Sequence, residues 1–301
     1  MNETDGPTRS RALFMALGAH ALWGAMPVYL ILVQAVPAVE YVAWRTFFTV
    51  PICLAFVALT GTMPELRRVL ADRRAMLTLV ATACLIAVNW LIYIWAVQHQ
   101  QVMAASLGYY ILPLVMTLMG VFLLKERLTR LQWLAVAVAA AGVASLSAGA
   151  LTTMWMSLGL AFSFGLYGIL RKTVAAGALP GLTVETIVLL PLVLGYLAWK
   201  QLADGGVTLG RDGLESLGIV LGGPMTAVPL LLFAAAARAL PYTLIGFLQF
   251  TAPTCMFLLS VFFFGEPRDP ARLASFVAIW IAATLFLGNM LLNARRAPVA
   301  A

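Results

Sequence analysis

Val102–Arg127 reads VMAASLGYYILPLVMTLMGVFLLKER, with Pro113 near its middle and charges only at Lys125, Glu126 and Arg127. Its apolar part has about the length a bilayer-spanning helix needs, roughly 20 residues. Proline inside such a helix frees a backbone carbonyl, which is tolerated where protein or a water-lined cavity satisfies it. The stretch returns at an offset of 140: Pro113, Met116, Leu118, Val121, Phe122 and Glu126 match Pro253, Met256, Leu258, Val261, Phe262 and Glu266.

The rest of the chain suits the same surroundings. It is 62% hydrophobic and 10% charged, where soluble domains run at about half and a quarter. This predicts an all-α integral membrane protein. Reading apolar runs between charge and turn clusters gives ten spans: 12–33, 38–59, 75–97, 102–124, 131–149, 152–172, 183–199, 214–236, 241–264 and 271–292. The seventh is the shortest. Met1–Ser10 and Ala294–Ala301 read as short polar tails without a signal-peptide pattern. The longest connections, Thr60–Arg74 and Lys200–Gly213, are too short for a folded domain. Cys53, Cys84 and Cys255 lie in apolar runs without metal-ligand spacing and read as buried small hydrophobes.

Of the 19 Lys and Arg residues, fourteen fall on the N-terminal side of these spans and four on the other, with Arg45 inside span two. The positive-inside rule puts both termini in the cytoplasm. The net charge of +7 then belongs to the membrane surface, and no nucleic-acid partner is expected. The offset also aligns Leu91, Tyr93 and Ala96 with Leu231, Phe233 and Ala236, and Leu17-Gly18 answers Leu158-Gly159. Each half, 1–150 and 151–301, therefore contains five spans. An odd number inserts the second half upside down, giving two inverted-topology repeats around a central cavity. Inverted repeats with interrupted spans at matching positions are a transporter signature, with the site near the midplane. A duplication without alternating access is the plainer alternative.

Several wordings are distinctive. Leu22-Trp23-Gly24 with Pro27 opens span one, Ala43-Trp44-Arg45 lies in span two, and Asn89-Trp90-Leu91-Ile92-Tyr93 in span three. Ala105-Ser106-Leu107-Gly108-Tyr109-Tyr110-Ile111-Leu112-Pro113 and Lys125-Glu126-Arg127-Leu128 frame span four. These resemble the RarD branch of the EamA-type drug/metabolite transporter superfamily, which also includes YddG-like amino-acid exporters. The resemblance covers the membrane region, most distinctly its first half. It implies ten helices in two inverted five-helix repeats, cytoplasmic termini in a bacterial inner membrane, and export of small metabolites such as amino acids. Trp44 stands where RarD-like proteins usually carry a histidine.

The candidate cavity residues are polar or aromatic side chains at mid-depth. Asn89 and Tyr93, four apart, share a helical face and either line a wet cavity or act as helix–helix glue. Tyr109 precedes Pro113, and Gln249 is its repeat mate; the prolines would kink their helices and free carbonyls at these two positions. Tyr110 packs on a neighbour or joins them. His20 and Trp23 share a face of span one, as an aromatic wall with a titratable ring or as plain packing. Tyr167 is their counterpart in span six. Arg45 either holds a carboxylate bidentately or caps a neighbouring helix. Glu185, its repeat mate, reads as a gate or interface residue near a span end, and His99 as an exposed loop residue.

No Asp lies within these spans and the Glu residues fall near their ends, so no relay of buried carboxylates is expected, which favours a facilitator. There is no P-loop, HExxH or paired intramembrane aspartate. No cofactor, metal or enzymatic activity is expected. The partners are a small-molecule substrate and the bilayer, and ten helices suffice to enclose a cavity as a monomer. The competing readings are export of other metabolites or drugs, a lipid enzyme, or a scaffold. A lipid enzyme would show clustered His, Asp or Lys at interfacial depth, and a scaffold would not need matched mid-span prolines.

Overall fold

The structure is a computed structural model that describes residues 8–99, 101–147, 154–263, 265 and 270–296. Its elements in chain order are α1 (Arg9–Leu30), closed by a 3-10 turn (Ile31–Val33), α2 (Ala38–Leu59), α3 (Met63–Ala71), α4 (Arg73–Gln98), α5 (Val102–Phe122), α6 (Arg130–Ser147), α7 (Met154–Thr173), α8 (Ala178–Ala203), α9 (Gly213–Ala239), α10 (Tyr242–Gln249), α11 (Thr251–Phe262) and α12 (Pro270–Arg296). The expected boundary at 150/151, and Glu266, lie outside the described residues.

Among the described residues, eight stretches are long and apolar enough to cross a membrane, counting α10 and α11 as one. Of the remaining long helices, α6 offers a shorter apolar stretch, Arg130–Leu146, and α7 ends on Arg171 and Lys172. Large apolar side chains such as Phe14, Leu59, Phe122 and Leu192 face outward, while His20, Glu40, Arg171, Glu185 and Gln249 are buried. Apolar side chains facing outward around such buried polar and charged groups are matched to lipid. Cys84 joins that exterior instead of the core.

Three elements depart from the sequence reading. α8 starts at Ala178, earlier than expected, because Pro180 falls in the first turn, where a helix needs no backbone donor. The connection Thr60–Arg74 contains α3, whose Leu66 and Val69 are buried while Arg67 and Arg68 face out. The Tyr242–Phe262 segment is divided at Phe250. Pro253 has no N–H to offer the carbonyl of Gln249 four residues back, so the ladder breaks one turn before it. α5, by contrast, runs through Pro113 as one helix, with the Thr117 hydroxyl donating to the Pro113 carbonyl at 2.8 Å.

Helices before residue 150 pack mainly on helices after it, and the packing is reciprocal. α5 lies on α7 as α1 lies on α10 and α11; α4 lies on α7 as α1 lies on α9; α4 lies on α8 as α2 lies on α9. The remaining major contacts are α2 on α8, α5 on α10 and α6 on α12. Gly120 meets Thr243, whereas Pro113 and Thr117 meet Gly246, so α5 and α10 run antiparallel. α6 and α12 do too, since Gly142 meets Ala278, Ser145 bonds Ser275 and Thr129 bonds Asn289. Small residues at these crossings let backbones approach, which drives helix association in lipid.

The end of the molecule that carries the basic residues is tied shut by side-chain caps. A left-handed turn at Lys125 (φ 57°) brings the Glu126 carboxylate to the start of α10, where it accepts from the N–H groups of Tyr242 (2.6 Å) and Thr243 (2.8 Å). A carboxylate at a helix N-terminus satisfies orphan donors and complements the dipole. Lys172 donates to the carbonyls of Ala237 and Leu240 at the end of α9, and Arg238 donates to those of Val174 and Ala176 beyond α7. These charges are therefore built into the fold as well as gathered on one surface. Glu126→Ala is expected to lower stability by about 1–3 kcal/mol, with Glu126→Gln intermediate, read as the melting of purified protein in detergent.

Candidate functional site

Between these helices, polar and aromatic side chains form three connected levels. The outermost centres on Arg45 of α2. Its Nε donates to Thr226 Oγ1 of α9 at 2.9 Å, and its guanidinium lies 5.0 Å from the Trp90 ring centroid on α4 and 5.9 Å from that of Tyr41. Thr226 is fixed in turn by donating to the Gly222 carbonyl at 2.7 Å. Tyr93 of α4 and Tyr109 of α5 meet edge to face at 6.2 Å, within electrostatic reach of the guanidinium. Arg45, Trp90, Tyr93 and Tyr109 are all only half-buried. Among the described residues, no carboxylate pairs with Arg45. A planar fork of donors resting on an aromatic face, without a resident anion, is suited to a ligand carboxylate.

The next level is an aromatic wall. Trp23 lies 5.6 Å from Phe164 and 5.7 Å from Phe233, and Tyr167 stacks on Phe233 at 6.4 Å. His20, fully buried, sits 5.6 Å from Trp23, and neither ring nitrogen has a hydrogen-bond partner; the Gln249 carbonyl oxygen also lacks one. Leu17 lies beside the Phe247–Thr251 stretch and Gly24 beside Ala252 and Cys255. His20, between Leu17 and Gly24, is thus at the depth of Gln249. Two orphaned polar groups at one depth are costly unless something else bonds them.

The innermost level is a buried charge cluster. Glu185 Oε1 accepts from the Thr82 hydroxyl of α4 at 2.6 Å and lies 3.5 Å from Arg171 Nε, while Oε2 accepts from the Tyr167 hydroxyl of α7 at 3.3 Å. Arg171 fits because Gly181 leaves room: a Cβ there would overlap the guanidinium. Tyr242 closes the same end, its hydroxyl donating to the Gly165 carbonyl at 2.6 Å and its ring end filling the space where a Cβ on Gly168 would lie. Every residue of α10 is buried.

Among the expected residues, Arg45, Tyr93 and Tyr109 gather at the first level and His20, Trp23, Tyr167 and Gln249 at the second. Asn89 is committed elsewhere: its amide donates to Leu160 O and Ser163 Oγ of α7, both at 2.9 Å, clamping α4 to α7. Tyr110 packs edge to face on Phe276. The expectation that carboxylates stay near span ends holds for Glu40, in the first turn of α2, and is corrected for Glu185, which is 2% exposed. Because α8 begins at Ala178, Glu185 stands about two turns inside it. Sequence reasoning missed Thr226, Phe164, Phe233 and Arg171 as site residues. Arg171 enters the sequence reading only in the count of basic residues, at the end of span six.

Comparison with known proteins gives concordant results. Residues 10–148 match the EamA-like transporter family. An uncharacterised transporter of Pseudomonas aeruginosa is 42% identical over 96% of this chain and 97% of its own length. Protein RarD of Salmonella typhi is 36% identical over 97% of this chain and 99% of its own. A crystal structure with 20% sequence identity superposes with a TM-score of 0.73, covering 93% of this chain and 98% of that one, and shares the fold.

Proposed function

The chain belongs to the EamA-like transporter family, as a RarD-type permease of the drug/metabolite transporter superfamily, and from that premise we propose that it exports amino acids or related small metabolites by alternating access. In this reading it crosses the bacterial inner membrane ten times, with both termini in the cytoplasm. Residues 1–150 and 151–301 form inverted five-helix halves, a reading supported by the reciprocal packing and the antiparallel crossings of α5 on α10 and α6 on α12. The structure then represents a state shut on the cytoplasmic side by α10, Tyr242 and the Glu126 cap, with the Arg45 level facing the opposite side.

One observation carries the choice of cargo. Glu185, buried in the second half, has a cation beside it, whereas its repeat mate Arg45 has no carboxylate. The missing anion is the cargo's own carboxylate, held by the guanidinium with Thr226, Trp90, Tyr93 and Tyr109 around it. The apolar part of the cargo lies toward Trp23 and Phe233, and its amino group has acceptors at His20 and Gln249. Uptake of a panel of labelled amino acids into proteoliposomes, with and without a pH gradient, tests this; movement of none contradicts it. Tyr109→Ala and Gln249→Ala are each expected to cut transport about tenfold while inserting at wild-type levels. Wild-type rates in both would move the cavity elsewhere.

A further inference from the structure

The charge cluster beneath the aromatic wall touches no part of the proposed cargo path except through Tyr167, and so calls for its own account. We infer that Glu185 is the proton-carrying group of this transporter, exchanging one proton entering the cell for each cargo molecule leaving it; this rests on the export reading above. An ionised pair inside a membrane protein is expensive and marks a functional site by default. This one is also built to part. Arg171 Nε stands 3.5 Å from Glu185 without hydrogen-bond geometry, and neither Nε nor Nη1 has a hydrogen-bond partner. A structural arginine–carboxylate pair would be expected to be bidentate.

The partners of Glu185 come from both halves. Thr82 is on α4, in the first half, and Tyr167 and Arg171 are on α7, in the second. Opening the cytoplasmic side draws α4 away from α7 and α8 and takes the Thr82 hydroxyl, its shortest hydrogen bond, from the carboxylate, leaving it Tyr167 and the loose contact to Arg171. A carboxylate so stripped, away from bulk water, stays in place at least cost by taking up a proton. The other groups around it offer no competing carboxylate at hydrogen-bond distance. On α2, Cys53 lies within electrostatic range and interacts with Thr183 of α8. Arg238 of α9 and Glu65 of α3 lie behind Arg171, the first bonded to the Val174 and Ala176 carbonyls and the second to the Gly177 N–H.

Tyr167 supplies the connection to the outer side. Its ring stacks on Phe233 in the aromatic wall while its hydroxyl holds Glu185. In the state open outward, cargo leaves, and a proton from outer water passes by way of Tyr167 to Glu185. Neutral Glu185 releases Arg171 and Thr82, and the cytoplasmic side opens. There the proton passes to cytoplasmic water, new cargo binds, and ionised Glu185 pairs again with Arg171 as that side closes. One proton moves inward per cargo molecule outward.

The test has a substrate-independent arm. Spin labels at Arg74→Cys and Ala175→Cys, both exposed, in a background lacking Cys84 and Cys255, report the distance across the cytoplasmic side. Acidification is expected to populate longer distances in the parent protein. Glu185→Gln, which mimics the protonated carboxylate, is expected to hold them at every pH; Arg171→Gln/Glu185→Gln serves if the single variant does not fold. A pH-independent distance in the parent, or the same pH dependence in the variants, overturns the inference. In proteoliposomes with an acidic lumen, the parent is expected to accumulate labelled amino acid, and Glu185→Gln to lose that accumulation at least tenfold. Accumulation unchanged in Glu185→Gln also overturns the inference. A parent whose distances respond to pH but which moves no amino acid contradicts the export reading instead.

Discussion

Arg45→Ala is expected to weaken binding of a carboxylate-bearing cargo by about 2–5 kcal/mol, the usual cost of removing one partner of a desolvated charged pair. At about 1.4 kcal/mol per factor of ten, the half-saturation concentration in proteoliposome transport should rise at least thirtyfold. Arg45→Lys should be intermediate, about tenfold. It keeps the charge but loses the fork that bonds Thr226 at 2.9 Å and the planar face 5.0 Å from the Trp90 centroid. The loss should be absent for cargo analogues without a carboxylate. A variant transporting amino acids with wild-type affinity would show that Arg45 only braces α2 against α9.

The largest stability effect is expected at Arg171. Arg171→Gln leaves the Glu185 carboxylate buried with Thr82 and Tyr167 as donors but no cation. Orphaning a buried charge costs about 3–5 kcal/mol, whereas removing both partners is often close to neutral. Arg171→Gln should therefore melt far below the parent in detergent, and Arg171→Gln/Glu185→Gln should recover most of the loss. Additive losses in the double variant would mean that the two residues stabilise the helices independently. Either way the result bears on the helix corner at Gly181, where no larger residue leaves space for the guanidinium.

How much of this was legible in the sequence depends on whether local pattern or neighbouring helices decide the feature. Long apolar runs set the helices, because a bilayer leaves the backbone no other way to bond itself. Pro253 announced the break near Gln249, since a missing donor acts on the carbonyl four residues back wherever the helix packs. Pro113 obeys the same rule, yet α5 stays whole with Thr117 bonded to the Pro113 carbonyl. The apolar run reads as starting at residue 183, but α8 begins at Ala178 with Pro180 in its first turn, which moves Glu185 from the end of a span to its interior.

The contact pattern was harder to read. Asn89 and Trp90 are adjacent, so they point about 100° apart on α4; one clamps α7 and the other lies under Arg45. Periodicity states that angle but not which neighbour occupies each side. Arg171 counts as a surface charge in any tally of flanking residues, and only the gap at Gly181 shows that it turns inward. Lys172 and Arg238 enter the sequence reading only as charges to be counted, and their roles as caps on each other's helix ends required the packing of α7 on α9.

If the cargo's carboxylate supplies the anion absent beside Arg45, exchange must depend on that group. Counterflow in proteoliposomes loaded with one labelled amino acid tests it most directly, by challenging from outside with the same amino acid, its amide and its decarboxylated amine. The account predicts rapid exchange with the amino acid and at least tenfold slower exchange with the amide and the amine. Equal exchange with all three would contradict it.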